Sequence, residues 1–151
     1  MDDKFSEKTL KLWKKIKTHG IMILSTCADN RVTSRSMSVI VHNEKFYCQT
    51  DETFLKYKQI TQNPSVALCL KNFSIEGKCR ILGHPLDENN AFFAELYKKH
   101  FFLSYKSYTA LPMQRLLEIT PSLVYSWEYK LSKPHMEYFD FENKHYRIEE
   151  H

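Results

Sequence analysis

Residues 21–50 read IMILSTCADNRVTSRSMSVIVHNEKFYCQT, and their pattern decides the fold class. An apolar run from Ile21 to Cys27 meets the turn signal Ala28-Asp29-Asn30, and Arg31 to His42 then alternates, which together predict a hairpin. Asn43-Glu44 turns the chain again into Lys45 to Thr50, so a meander of three antiparallel strands is expected.

Upstream, Ser6 as a cap, apolar Leu10, Trp13 and Ile16, and Gly20 as a stop predict a helix from Glu7 to Thr18. Downstream, Asp51 to Gln62 reads as a helix capped by Asp51 or Thr53, with Phe54, Tyr57 and Ile60 at helical spacing and Asn63-Pro64 ending it. Ser65 to Lys71 and Phe73 to Leu82 are strands, and Asp87 to Lys99 is a second helix with Phe92, Phe93, Leu96 and Tyr97 as its apolar stripe. From His100 to Met113 no period wins, which predicts a mobile or irregular connection. Gln114 to Tyr129 reads as a strand interrupted at Pro121, and Tyr138 to Phe141 with Lys144 to Ile148 form a closing hairpin around Glu142-Asn143. The expected fold is mainly β with flanking helices: a small closed or partly closed antiparallel barrel of six or more strands, in one domain over residues 1–151.

The composition fits a packed core, with 42% hydrophobic residues and only three glycines in 151. The formal charge of +4 is modest, and Lys8, Lys11, Lys14, Lys15 and Lys17 read as the solvated side of the first helix, so no nucleic-acid partner is expected. Cys27, Cys48, Cys69 and Cys79 form no Cys-x-x-Cys pair and are read as buried free thiols. Met1 to Phe5 lacks the apolar segment of a signal peptide and no apolar run is long enough to span a bilayer, so a cytoplasmic protein without a membrane partner is expected. The seven histidines show no metal-ligand spacing; His100 and His135 lie in irregular segments from which either could approach a ligand.

Along Arg31 to Val41, the face that becomes apolar at Met37 also carries Arg35. A core-facing arginine needs a partner, and its planar guanidinium suits a phosphate, a carboxylate such as Glu76, or an edge position from which it reaches water. Thr50-Asp51-Glu52-Thr53 leads into the helix that presents Lys56, and a helix N-terminus with nearby hydroxyls attracts anions. Lys56 alone reads equally as a solvent-facing lysine and Thr53 as a cap; the combination with Arg35 is what points to a phosphate-bearing ligand.

At these residues the chain resembles the pyridoxamine 5′-phosphate oxidase-like split barrels that bind flavin mononucleotide (FMN). The resemblance covers about His19 to Trp127 and rests on Arg35-Ser36-Met37, Thr50 six residues before Lys56, Asn63-Pro64 and Glu76-Gly77. It implies a six-stranded antiparallel split barrel in which Arg35 and Lys56 hold the flavin phosphate and Thr50 adds a hydroxyl contact. Ser36, Met37 and Gln49 would then line the ribityl chain and ring. It also implies a homodimer with the flavin at the subunit interface, approached by Trp127 from the partner, and a small-molecule electron donor or acceptor. Asn30 and Ser36 stand where the family often has glycine and proline. Residues 91–113 lack the Arg-Pro and following serine that bind substrate phosphate in the true oxidases, so vitamin B6 oxidation is not expected. The general stress protein or flavin-nucleotide-binding type fits better. An FMN-dependent oxidoreductase of unassigned substrate is the first expectation, a noncatalytic flavin or haem carrier or sensor the second, and a deazaflavin-dependent relative the third.

Overall fold

The computed structural model describes residues 3–151. Helix α1 (Asp3–Ile16) precedes strands β1 (His19–Ala28), β2 (Arg31–His42) and β3 (Lys45–Asp51), then α2 (Leu55–Gln62), β4 (Ser65–Leu70) and β5 (Phe73–Ile81). A single 3-10 turn (Glu88–Asn90) leads into α3 (Ala91–His100), a short α4 (Phe102–Ser104) and a π-helical turn (Tyr105–Thr109). The chain closes with β6 (Gln114–Lys130), β7 (Lys133–Asp140) and β8 (His145–Glu150).

The expected meander is present. Asp29 and Asn30 (φ 51° and 62°) and Asn43 and Glu44 (φ 48° and 61°) form two tight turns whose left-handed backbone matches strand twist. The sheet runs β3-β2-β1-β4-β5-β6, and β3 pairs with β6 to close a six-stranded antiparallel barrel, with β7 and β8 extending it beyond β6. The barrel core is filled by Met22, Leu24, Val39, Phe46, Leu68, Ile75 and Ile119, all essentially inaccessible, each contributing about 1.5–3 kcal/mol by burial. Helix α1 plugs one side of it through Phe5, Leu12 and Ile16, while α3 packs Phe93 and Tyr97 on the outer face of β2, β3 and β6 against Ile40, Tyr47 and Leu116.

Several boundaries differ from the sequence expectations. Helix α1 begins before Ser6 and ends at Ile16, where the following Lys17 takes the left-handed φ of 70° in place of Gly20, and Leu10 is exposed because the buried face runs Phe5, Thr9, Leu12, Ile16. Helix α2 begins at Leu55, since Asp51 still belongs to β3, and Phe54 is exposed rather than part of its apolar stripe. Strand β6 is not interrupted at Pro121. Gly77 pairs with Pro121 and Glu76 with Leu123, so Ser122 is an extra residue at a bulge, where a proline costs no ladder bond. This bulge divides the work of β6: residues up to Ile119 close the barrel on β3, and Leu123 onward pairs with β7. The 100–113 segment, expected to be mobile or irregular, is helical from residue 102 to 109 and irregular on either side; most of it is exposed and Thr109 is its one buried residue. Of the four free cysteines, Cys48 and Cys79 are buried, but Cys69 is exposed on the outer face of β4 and Cys27 is partly so. No described helix is long and apolar enough to cross a membrane.

Candidate functional site

Strand alternation places Arg35 on the same side of β2 as Met37 and Val39, facing the barrel mouth rather than its packed centre. One of its terminal nitrogens donates to the Thr26 hydroxyl at 2.8 Å and to the Leu24 carbonyl at 3.3 Å, and the other to the Thr33 hydroxyl at 2.5 Å. All of these acceptors are neutral. The alternative pairing with Glu76 is not formed, because Glu76 projects from the outer face of β5. Partial burial lowers the Arg35 pKa from its ordinary value, the expected sign for a cation removed from water without a counter-charge.

Lys56 reaches the same region from the first turn of α2. Its ammonium donates to the Thr50 hydroxyl at 3.1 Å and lies 4.9 Å from the Phe54 ring centroid. Burial first, then the neighbouring Arg35 charge, hold its pKa below the usual lysine value. The Asp51 carboxylate offsets this less than Arg35 causes it, being engaged by the Thr53 backbone N–H at 2.8 Å and the Thr53 hydroxyl at 2.7 Å. Thr53 therefore braces a turn and is not aimed at a ligand. Among the described residues, neither Arg35 nor Lys56 has a carboxylate within ion-pair distance. Two mutually repelling cations, each bonded to neutral oxygens, are chemically able to accept a dianion such as a phosphate monoester.

A cleft of about 430 Å³ adjoins this pair, a volume within the range of cofactor sites. Ser36, Met37, Gln49, Thr50 and Lys56 all line it, so five of the seven residues expected from the sequence converge there. Arg35 does not line it, although it precedes Ser36 on β2 and its charge acts on Lys56. Trp127 does not line the cleft of its own chain: it sits on the second half of β6 opposite Met136, half-exposed, with its ring against Tyr129. His100 and His135 do not line it either. His100 stacks on His19 at 3.8 Å between ring centroids, and His135 bonds the Lys133 carbonyl. Among the described residues no cluster of three or more His, Cys, Asp or Glu side chains could hold a metal ion.

Two features of the site were not read from the sequence. Further lining of the cleft comes from Tyr97 of α3, Ser104 of α4, Tyr108 of the π-helical turn and Leu111 just after it. It is pinned by the Thr109 hydroxyl, which donates to the Gln49 side-chain oxygen at 3.0 Å, and by the Tyr97–Ser104 hydroxyl pair at 2.8 Å. The other is Gln59, buried on the inner face of α2 one turn after Lys56, whose amide oxygen accepts from Thr26 at 2.5 Å and Thr33 at 2.7 Å. The cue available in the sequence was a glutamine at i+3 from Lys56, beside apolar Ile60 on the same helix face.

Comparison with known proteins bears on the fold and the family. No curated protein matches the sequence. Among solved structures, the chain is similar to general stress protein 26 from Bacillus anthracis str. Sterne, with 22% identity over 79% of this chain and 90% of that one and a TM-score of 0.58. It is similar also to a pyridoxamine 5′-phosphate oxidase-related, FMN binding protein from Nostoc punctiforme, with 16% identity over 87% and 86% of the two chains and a TM-score of 0.61. A third similar structure is HutZ, the haem storage protein of Vibrio cholerae, with 12% identity over 76% and 89% and a TM-score of 0.61. At these identities the likeness carries the fold, a split barrel. The family model described as pyridoxamine 5′-phosphate oxidase matches residues 9–128, well over half of the 151, and the chain therefore belongs to that family.

Proposed function

We propose that this protein is an FMN-binding oxidoreductase acting as a homodimer, with the flavin phosphate on Arg35, Lys56 and Thr50. The observation that carries the reading is the pair of partly desolvated cations with no carboxylate partner at the edge of a cofactor-sized cleft. The residues fit the group: a planar guanidinium, an ammonium and a hydroxyl match the oxygens of a phosphate, and the cleft continues along Ser36, Met37 and Gln49 as the ribityl chain and ring require. When bound, the flavin supplies hydride and electron transfer, and the chain supplies position and electrostatics. Tyr97, Tyr108 and Leu111 give one wall of the cleft an aromatic and apolar surface. Ser36, which lines the cleft, pairs with Ile23 on an outer face of β1 and β2 that exposes Ile21, Ile23 and Val32 among small serines, a surface suited to a second copy that would bring Trp127 toward the flavin. The helical wall carries no charged group into the cleft, which fits a small electron donor or acceptor other than a phosphorylated vitamin B6.

Similarity to a haem storage protein supports a second reading, a noncatalytic haem or flavin carrier on the same barrel. Absorbance of the purified protein, with and without added FMN or haemin, separates the two. Flavin bands, a stoichiometric complex with FMN and bleaching by a nicotinamide donor are expected. A Soret band with no uptake of FMN would overturn the flavin reading in favour of haem, and FMN uptake without turnover of any donor would leave a carrier.

A further inference from the structure

A buried amide on a helix face must find partners, and Gln59, only 3% exposed, finds three. Its oxygen accepts from the Thr26 and Thr33 hydroxyls, and its nitrogen donates to the Arg31 carbonyl at 3.0 Å, which settles which end of the amide faces the threonines. Each threonine has one proton. With both protons committed to Gln59, the two hydroxyls turn their lone pairs to the guanidinium, which donates to each of them. A donor in the place of the Gln59 oxygen would reverse both hydroxyls and aim protons at a cation.

The relay is neutral until it reaches the guanidinium: an amide, then two hydroxyls. We propose that Gln59 is the positioning residue for the phosphate clamp, fixing the direction of Arg35 through Thr26 and Thr33 while leaving the guanidinium charge unspent for the ligand. The same three residues tie α2 to β1 and β2, so the helix that carries Lys56 and the strand that carries Arg35 are held in one register. This inference rests on the FMN reading above. A carboxylate at position 59 would accept the same two hydroxyl bonds yet add a negative charge two bonds of the relay away from Arg35, competing with a phosphate and not with an uncharged flavin.

The test titrates the full chain with FMN and with riboflavin, which lacks the phosphate, following flavin fluorescence. In Gln59→Glu, FMN affinity is expected to fall at least about tenfold while riboflavin affinity stays within about twofold. Thr33→Val, which cuts the relay on the strand side and leaves the Gln59 bonds to Thr26 and the Arg31 carbonyl, is expected to lower the FMN preference as well and serves if the Gln59 variant does not fold. Retention of the wild-type FMN preference in both variants, or equal loss of both flavins, would show a merely structural role and overturn the inference. Wild-type protein that binds the two flavins equally would instead overturn the phosphate reading, and this inference with it.

Discussion

The Lys56 ammonium donates to the Thr50 hydroxyl at 3.1 Å, folding a cation from the first turn of α2 back onto the end of β3. Thr50 shares the inner face of β3 with Phe46 and Cys48, so the contact sets the ammonium where the packed barrel ends and solvent begins. Lys56 in turn acts on Cys48, whose thiol burial pushes up to about 12, too high for a nucleophile at neutral pH.

FMN affinity is expected to fall at alkaline pH. Burial and Arg35 hold the Lys56 pKa below 10.5 in the free protein; a bound phosphate reverses the local sign and raises it, so binding takes up a proton between the two values. Affinity therefore drops as pH rises through the depressed value, and Lys56→Ala flattens that limb. Without ligand the sign for stability is opposite: Lys56 disfavours folding fully below its depressed pKa, and the penalty is relieved as pH rises from that value to the ordinary 10.5, where the unfolded state also loses the proton. Flavin titrations from about pH 6 to about pH 10 check the first statement; an alkaline limb unchanged by Lys56→Ala contradicts it.

Ile23→Asp places a charge on the outer face of β1, opposite Ser36 on β2 and Cys69 on β4. Because Ile23 is 45% exposed in the single chain, the change leaves the barrel folded. The variant is expected to sediment as a monomer and to bind FMN more than about tenfold more weakly, since a charge buried in an interface without a partner costs several kcal/mol. Sedimentation together with flavin titration decides it, and a dimer with unchanged affinity would rule this face out.

Thr109→Val keeps the shape of the side chain but removes the donor to Gln49. An orphaned buried acceptor costs about 1–3 kcal/mol, and the loss falls on the tie between the π-helical turn and β3. A lower unfolding midpoint and faster proteolysis between residues 100 and 113 are expected, with unchanged cleavage arguing that the segment is held by its apolar contacts alone.

Gly77→Ala is expected to destabilise by about 1–3 kcal/mol. A Cβ there would lie 2.5 Å from the Thr120 carbonyl oxygen, a backbone atom that cannot move aside without opening the bulge. Denaturant titration reads the change; a midpoint equal to the wild type would show that β6 shifts freely at Pro121.

The barrel was largely legible because its signals are local. Asn30 and Asn43-Glu44 tolerate the left-handed backbone of tight turns, and Arg31 to His42 alternates as a strand with one buried face must. The segment after His100 was not legible, because Phe101, Phe102 and Leu103 are consecutive and the turn that follows has a π period, so neither helix nor strand spacing emerges. Pro121 misled for a related reason: only the partner strand reveals that it faces a bulge. Arg35 and Lys56 could be singled out by residue type and order, whereas Gln59 depends on contacts to Thr26 and Thr33, 33 and 26 residues away, which local spacing cannot show.

The phosphate role proposed for Arg35 and Lys56 is tested by comparing FMN with riboflavin binding in wild type, Arg35→Ala and Lys56→Ala. A charge-assisted hydrogen bond contributes about 1.5–3 kcal/mol, so each substitution is expected to weaken FMN roughly ten- to a hundredfold and riboflavin little. Equal weakening of the two flavins, or none of either, would contradict the account.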